Sequence, residues 1–142
     1  MTNSELILEA KKARERAYVP YSHHSVGAAL VTKSGKIYHG CNIENAAYGP
    51  TNCAERTAFF RAVYDGEREF TKIAIVGGME DSDGNATCAP CGVCRQVMME
   101  FCNPETFKII LANGEGEPLE YTLKELLPLG FGPANLDKPA AL

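Results

Sequence analysis

Apolar positions recur at helical spacing from the start of the chain. Leu6, Ala10, Ala13 and Ala17 fall three or four apart, Thr2 and Glu5 form a Thr-x-x-Glu start, and Pro20 lies just beyond. The spacing predicts a helix over 2–17 with a capping box on its first turn. The period then changes. Residues 26–32 are small and β-branched, Lys33-Ser34-Gly35-Lys36 is a turn signal, and 36–42 reads as a second strand, which together predict an antiparallel hairpin. Ala54, Ala58 and Ala62 form one stripe with Phe59 and Val63 beside it, so a helix is expected over 53–65, with Gly66 closing it. A short buried strand over 72–76, a loop rich in Asp, Gly and Asn, and a helix over 91–101 after Pro90 follow. A strand over 107–112, a turn at Asn113-Gly114-Glu115-Gly116 and an edge strand over 119–122 come next. Thr122 and Glu125 make a second capping box, opening a short helix that Pro128 ends. The tail after Gly130, rich in Pro, Gly and Ala, is expected to lie on another subunit or to fray. The strand–helix–strand–helix–strand run predicts parallel pairing through crossovers, preceded by the antiparallel hairpin. The expected architecture is α/β: a mixed five-stranded sheet with helices on both faces, three αβα layers, in one domain over 1–142.

Composition narrows the function classes. At 142 residues, 45% hydrophobic and 23% charged, the chain is of ordinary globular make-up and too apolar for disorder. No apolar run approaches the roughly 18 residues of a membrane span, and the charged N-terminal segment has no uninterrupted apolar stretch of the secretory kind. A net charge of −4 gives no general affinity for nucleic acid or anionic membranes. A cytoplasmic enzyme or module acting on small molecules is the expectation. The six cysteines, Cys41, Cys53, Cys88, Cys91, Cys94 and Cys102, are too sparse for a disulfide scaffold and point to metal or catalytic use.

Three of these cysteines sit where helices are expected to begin. Cys91 and Cys94 open one helix with sulfurs three residues apart, and Cys53 opens another. Helix N-termini offer unpaired N–H groups and the positive end of the dipole, which favour thiolates, and thiolates bind zinc. Alone, the Cys-x-x-Cys pair fits metal ligation, redox use or simple burial. Cys53 joining it makes a zinc site the better reading. Glu55, two residues after Cys53, is costly as an idle charge beside thiolates and becomes sensible as a proton shuttle for a metal-activated water. It also fits a first-turn Glu that complements the helix dipole. Arg56 can draw charge off the sulfurs, since three thiolates leave Zn²⁺ at formal −1; a solvated helix Arg is the alternative.

Cys53-Ala54-Glu55 followed by Pro90-Cys91-Gly92-Val93-Cys94 fits the zinc nucleobase-deaminase signature with Cys in place of His. Tyr21-Ser22-His23, Val26-Gly27-Ala28-Ala29-Leu30, Gly40-Cys41-Asn42-Ile43-Glu44-Asn45-Ala46, Leu126-Leu127-Pro128 and Phe131-Gly132-Pro133 complete a pattern over nearly the whole chain. It resembles the small homotetrameric cytidine deaminases of pyrimidine nucleoside salvage. The resemblance implies one zinc on Cys53, Cys91 and Cys94 with water as fourth ligand. It implies proton transfer by Glu55 to N3 of cytosine and to the leaving amine, and a hold on the base O2 by the Ala54 N–H. Asn42 and Glu44 match the family's ribose-hydroxyl binders. Ala46 and Tyr48 match positions that reach a neighbouring subunit's site, and Phe131 matches an aromatic packing on the base from another subunit. His24 stands where the family usually carries a base-stacking Phe, and Ser25 where Pro is frequent; an imidazole is smaller and can become charged.

Two rivals remain at this level. Cys88, three before Cys91, could join the other three in a closed Cys₄ structural zinc site without catalysis. A blasticidin-type aminohydrolase resembles the chain through the same zinc motifs, although the Asn42 to Ala46 stretch favours a nucleoside.

Overall fold

Along β1 (His24–Thr32), Ala28 and Leu30 enter one core and Ala29 the other. The same period-two split recurs on β3 (Phe70–Met79), with Ile73 and Ile75 against Ala74 and Val76, and on β4 (Lys108–Leu111), with Ile109 and Leu111 against Ile110. Strands apolar on both sides must be covered on both sides. The structure, a computed structural model describing residues 1–136, covers them with helices. α1 (Asn3–Arg14) buries Leu6, Ile7 and Ala10 on one face. α2 (Ala54–Tyr64), α3 (Gly92–Phe101) and α4 (Leu123–Leu126) cover the other, where Phe59 packs its ring against Phe70, Phe101 and Phe107.

The sheet order is β2-β1-β3-β4-β5, with β2 at Ile37–Cys41 and β5 at Leu119–Thr122. β1 is antiparallel to both β2 and β3, β3 and β4 are parallel, and β5 returns antiparallel to β4. The expected parallel crossover therefore takes a modified form. β2 and β3 do run in the same direction, but β1 lies between them, so the pairing across α2 is not direct. The hairpin leaves one free edge on each of its two strands, and β3 docks on that of β1.

Two glycines let helices approach the hairpin from opposite sides. A Cβ on Gly27 would fall 2.1 Å from the Ala10 carbonyl oxygen of α1, and one on Gly40 would fall 2.3 Å from that of Ala54 in α2. Element ends differ from the sequence expectation where tertiary partners intervene. α1 stops at Arg14 rather than 17, and the N–H groups of Arg16 and Ala17 turn back three residues to Ala13 and Arg14. The next residue, Tyr18, is already paired to Asn42 and Glu44 through its backbone. β3 outruns the predicted 72–76 because β1 pairs with it from Phe70 to Met79. Both capping boxes form. Pro133–Leu136 is a 3₁₀ turn, and the side chain of Gln96 holds the Phe131 carbonyl at 2.8 Å. The rest of the expected tail, 137–142, lies outside the described residues.

Candidate active site

Cys53 and Cys91 occupy the N-cap positions of α2 and α3, both in extended backbone, and neither side chain caps its own helix. Their sulfurs are free to turn toward one another. Cys94, one turn into α3, adds a third, and the three Sγ atoms lie within 4.8 Å of each other. Cys53 Sγ is 3.8 Å from Cys91 Sγ, which is 3.5 Å from Cys94 Sγ. Among the described residues this triad is the group able to hold a metal, and Cys88 is not part of it. The Cys88 thiol instead packs against Gly77, where an added Cβ would fall 2.7 Å from its sulfur, and burial pushes its pKa up. The closed Cys₄ arrangement does not form.

Arg56 lies one turn from Cys53 and donates from Nη2 to its sulfur at 3.2 Å. The thiol of Cys94, the Arg56 guanidinium and Cys91 together hold the Cys53 thiol down to about 5. Cys94, giving its hydrogen bond to Cys53, keeps its own proton correspondingly longer. Glu55 is 4% exposed, and this burial, aided by the neighbouring Cys53 charge, raises its carboxyl to about 7.

Cys53, Glu55 and Cys91 line a cleft of about 370 Å³, together with Ala54, His24, Asn42, Glu44 and Cys88. Asn42 is fixed by β1: its Oδ1 accepts from the Val26 N–H and its Nδ2 donates to the His24 carbonyl, both at 2.8 Å. Glu44 accepts from the backbone N–H groups of Tyr21 and Ser22 at 3.0 and 3.1 Å, and from the Ser22 hydroxyl. That hydroxyl bond, with the backbone bonds, lowers the Glu44 pKa. Both side chains are thus locked in orientation while each retains unused acceptor or donor capacity.

The family model for the cytidine and deoxycytidylate deaminase zinc-binding region matches residues 1–110. A cytidine deaminase of Sporosarcina psychrophila is 52% identical over 140 residues, spanning 99% of this chain and 98% of that one. The chain belongs to the cytidine deaminase family. The crystal structure of a cytidine deaminase from Burkholderia pseudomallei superimposes with a TM-score of 0.82 at 52% identity, covering 92% of this chain and all of that one. A blasticidin-S deaminase of Bacillus cereus is also similar, at 32% identity over 89% of this chain and 90% of its own length.

As a cytidine deaminase the chain has a donor set that fits zinc. Three sulfurs converge at two helix N-termini, with a guanidinium already drawing charge from one of them. The buried Nε of Arg56 finds no partner among the described residues, which suits a side chain aimed at anionic sulfur.

Ala46, Tyr48 and Phe131 stand outside the cleft. Ala46 and Tyr48 are exposed, and the Tyr48 ring leans edge-on to Tyr21, 6.0 Å between centroids, over an adjoining hollow that shares Ser22 and Glu44 with the cleft. Phe131 is 57% exposed. Sequence reasoning missed the part of Ser22, whose hydroxyl both holds Glu44 and accepts from the His24 N–H at 3.0 Å. No spacing rule links a turn serine to a carboxylate 22 positions away, so only the folded contact shows it.

Proposed function

We propose that this cytidine deaminase converts free cytidine and deoxycytidine to uridine and deoxyuridine, consuming one water and releasing one ammonia. Its site residues act as follows. Bound zinc supplies Lewis acidity and an acidified water. Glu55 would take a first proton from that water and deliver it to N3 of the base, then take the water's second proton from the oxygen now on C4 and pass it to the departing amine. The C4–N bond breaks and C4 keeps the oxygen, so atoms and protons balance. Arg56 tempers the negative charge of the sulfurs. The Ala54 N–H, at the uncapped start of α2, holds the base O2. Asn42 and Glu44 take sugar hydroxyls, and His24 packs on the base.

The observation that carries this reading is the buried Glu55 carboxyl beside the cysteine triad, in a cleft that the pre-oriented Asn42 and Glu44 also line. The cleft walls carry two carboxylates and no Lys or Arg, which suits a nucleoside better than a nucleotide. Ammonia release should therefore be seen with cytidine and deoxycytidine and not with cytidine monophosphate or adenosine. Turnover of blasticidin S in place of cytidine would overturn the substrate.

The same reading includes a homotetramer, one domain per chain over 1–142, in the reducing cytoplasm that free thiols require. Ala46, Tyr48 and Phe131, exposed here, would complete a neighbour's cleft. Mixed oligomers of Phe131→Ala and Glu55→Gln chains should regain activity that each lacks alone. No regain in verified mixed oligomers would place the whole site within one chain.

A further inference from the structure

On the α1 side of the sheet, behind the cleft, Arg14 closes the last turn of α1 and is half-buried. An arginine there ordinarily serves the carbonyls of its own helix. This one reaches elsewhere. Nε donates to the carbonyl and hydroxyl of Ser25 at 3.1 and 3.0 Å. Nη2 donates to the carbonyls of Gly78 and Met79 at 3.2 and 2.6 Å and to the Ser82 hydroxyl at 3.0 Å, while Nη1 reaches the Ser82 carbonyl at 3.1 Å.

The acceptors lie on three segments, two of which continue into residues that line the cleft. Ser25 sits between His24 and Val26, both cleft-lining, and strand alternation turns it away from the cleft toward Arg14. Gly78 and Met79 end β3. Ser82 starts the connection that carries Cys88 into the cleft and Cys91 to the triad. Farther along it, Gly84, at φ +75°, lies so close that a Cβ would come within 2.7 Å of Nη1.

We infer that Arg14 is a positioning residue of the deaminase: its planar fork ties the start of β1 to the β3–α3 connection, and so sets how the His24-bearing strand sits relative to the Cys88–Cys91 segment, both of which line the nucleoside cleft. The inference rests on that cleft being the nucleoside site. A lysine keeps the charge but is a single point donor, unable to span the same acceptors. Glu55 and Cys53 stand at the start of α2, which Arg14 does not touch. Loss of the fork should act on nucleoside fit more than on the chemical step.

The test is steady-state kinetics on Arg14→Ala and Arg14→Lys, with zinc content and Tm measured in parallel. Displacements near 1 Å cost up to ~10²-fold, so KM for cytidine is expected to rise about tenfold in both variants, with kcat within about threefold and zinc retained. Added methylguanidinium should lower KM again in Arg14→Ala and not in Arg14→Lys. A fall in Tm with unchanged KM would overturn the inference and leave Arg14 a merely structural anchor. If Arg14→Ala fails to fold, Ser82→Ala, which removes one acceptor hydroxyl, should raise KM about threefold, and an unchanged KM there counts against the inference. Asn42→Ala separates two kinds of failure. An unchanged KM in both it and the Arg14 variants removes the cleft reading and the inference with it. An unchanged KM in the Arg14 variants alone removes only the inference.

Discussion

The helices of this enzyme begin in two different ways. α1 and α4 start on Thr2 and Thr122, each in a complete capping box: the threonine hydroxyl takes the N–H three residues on, and Glu5 or Glu125 answers back. α2 and α3 start on Cys53 and Cys91, which make no side-chain cap at all. The capped starts satisfy their own orphan N–H groups and are locally stable. The uncapped starts leave positive dipole ends open, and three sulfurs gather in front of them. Where a helix start breaks the local rule, the broken rule marks the functional site.

Giving the uncapped starts a proper cap is the strongest way to break this contrast. Cys53→Ser and Cys91→Ser supply good N-cap residues, so the metal-free fold should be no less stable. Zinc should be lost and turnover should fall by at least ~10³-fold, the scale of several kcal/mol of Lewis-acid stabilisation. Metal analysis with ammonia release decides it, and a serine variant that keeps both zinc and turnover would end the contrast.

Glu55→Gln tests the same helix start without touching the sulfurs. It should retain one zinc per chain and lose ~10²–10⁴ in kcat, the range of a general acid–base group. More than about a tenth of wild-type kcat remaining would show that another group moves the protons.

Thr2→Ala probes the capped side. Stability should drop by about 1 kcal/mol with kcat and zinc unchanged, as read by denaturant unfolding beside the activity assay. A matching loss of activity would mean that the α1 start also serves the site.

The smallest effect concerns pH at the α4 cap. The Thr122 backbone N–H, at 2.8 Å, and its hydroxyl lower the Glu125 pKa. Because the folded value lies below the ordinary carboxylate value near ~4.3, this cap is fully present above that pH and is lost as pH falls through the depressed value. Amide exchange at Thr122 should accelerate there in wild type and show no such step in Glu125→Gln.

Much of this was legible in the residues. Periodicity placed the first two helices, and turn residues, caps and β-branched runs placed the other two helices and the five strands, because these signals act locally whatever the partners are. The two Thr-x-x-Glu boxes and the Cys91/Cys94 pair were readable because each is local, within one helical turn; Cys53, 38 positions before Cys91, was readable as a partner only from its place at a second helix start and the order of the motifs. The order of the motifs along the chain carried the family.

Long-range geometry was not legible. That β1 lies between β2 and β3 depends on which free strand edge docks first, and both edges satisfy the same local pattern. That Cys88 stays out of the triad depends on its packing against Gly77, not on its spacing from Cys91. No spacing singled out Arg14, and only the fold shows it donating to Ser25, Met79 and Ser82. The sequence by itself determined which chemistry could occur, since residue types and local spacing set ligands, caps and periods. Tertiary structure alone decided which distant groups meet, because hydrogen-bond and packing partners many residues apart are selected by the closure of the whole fold.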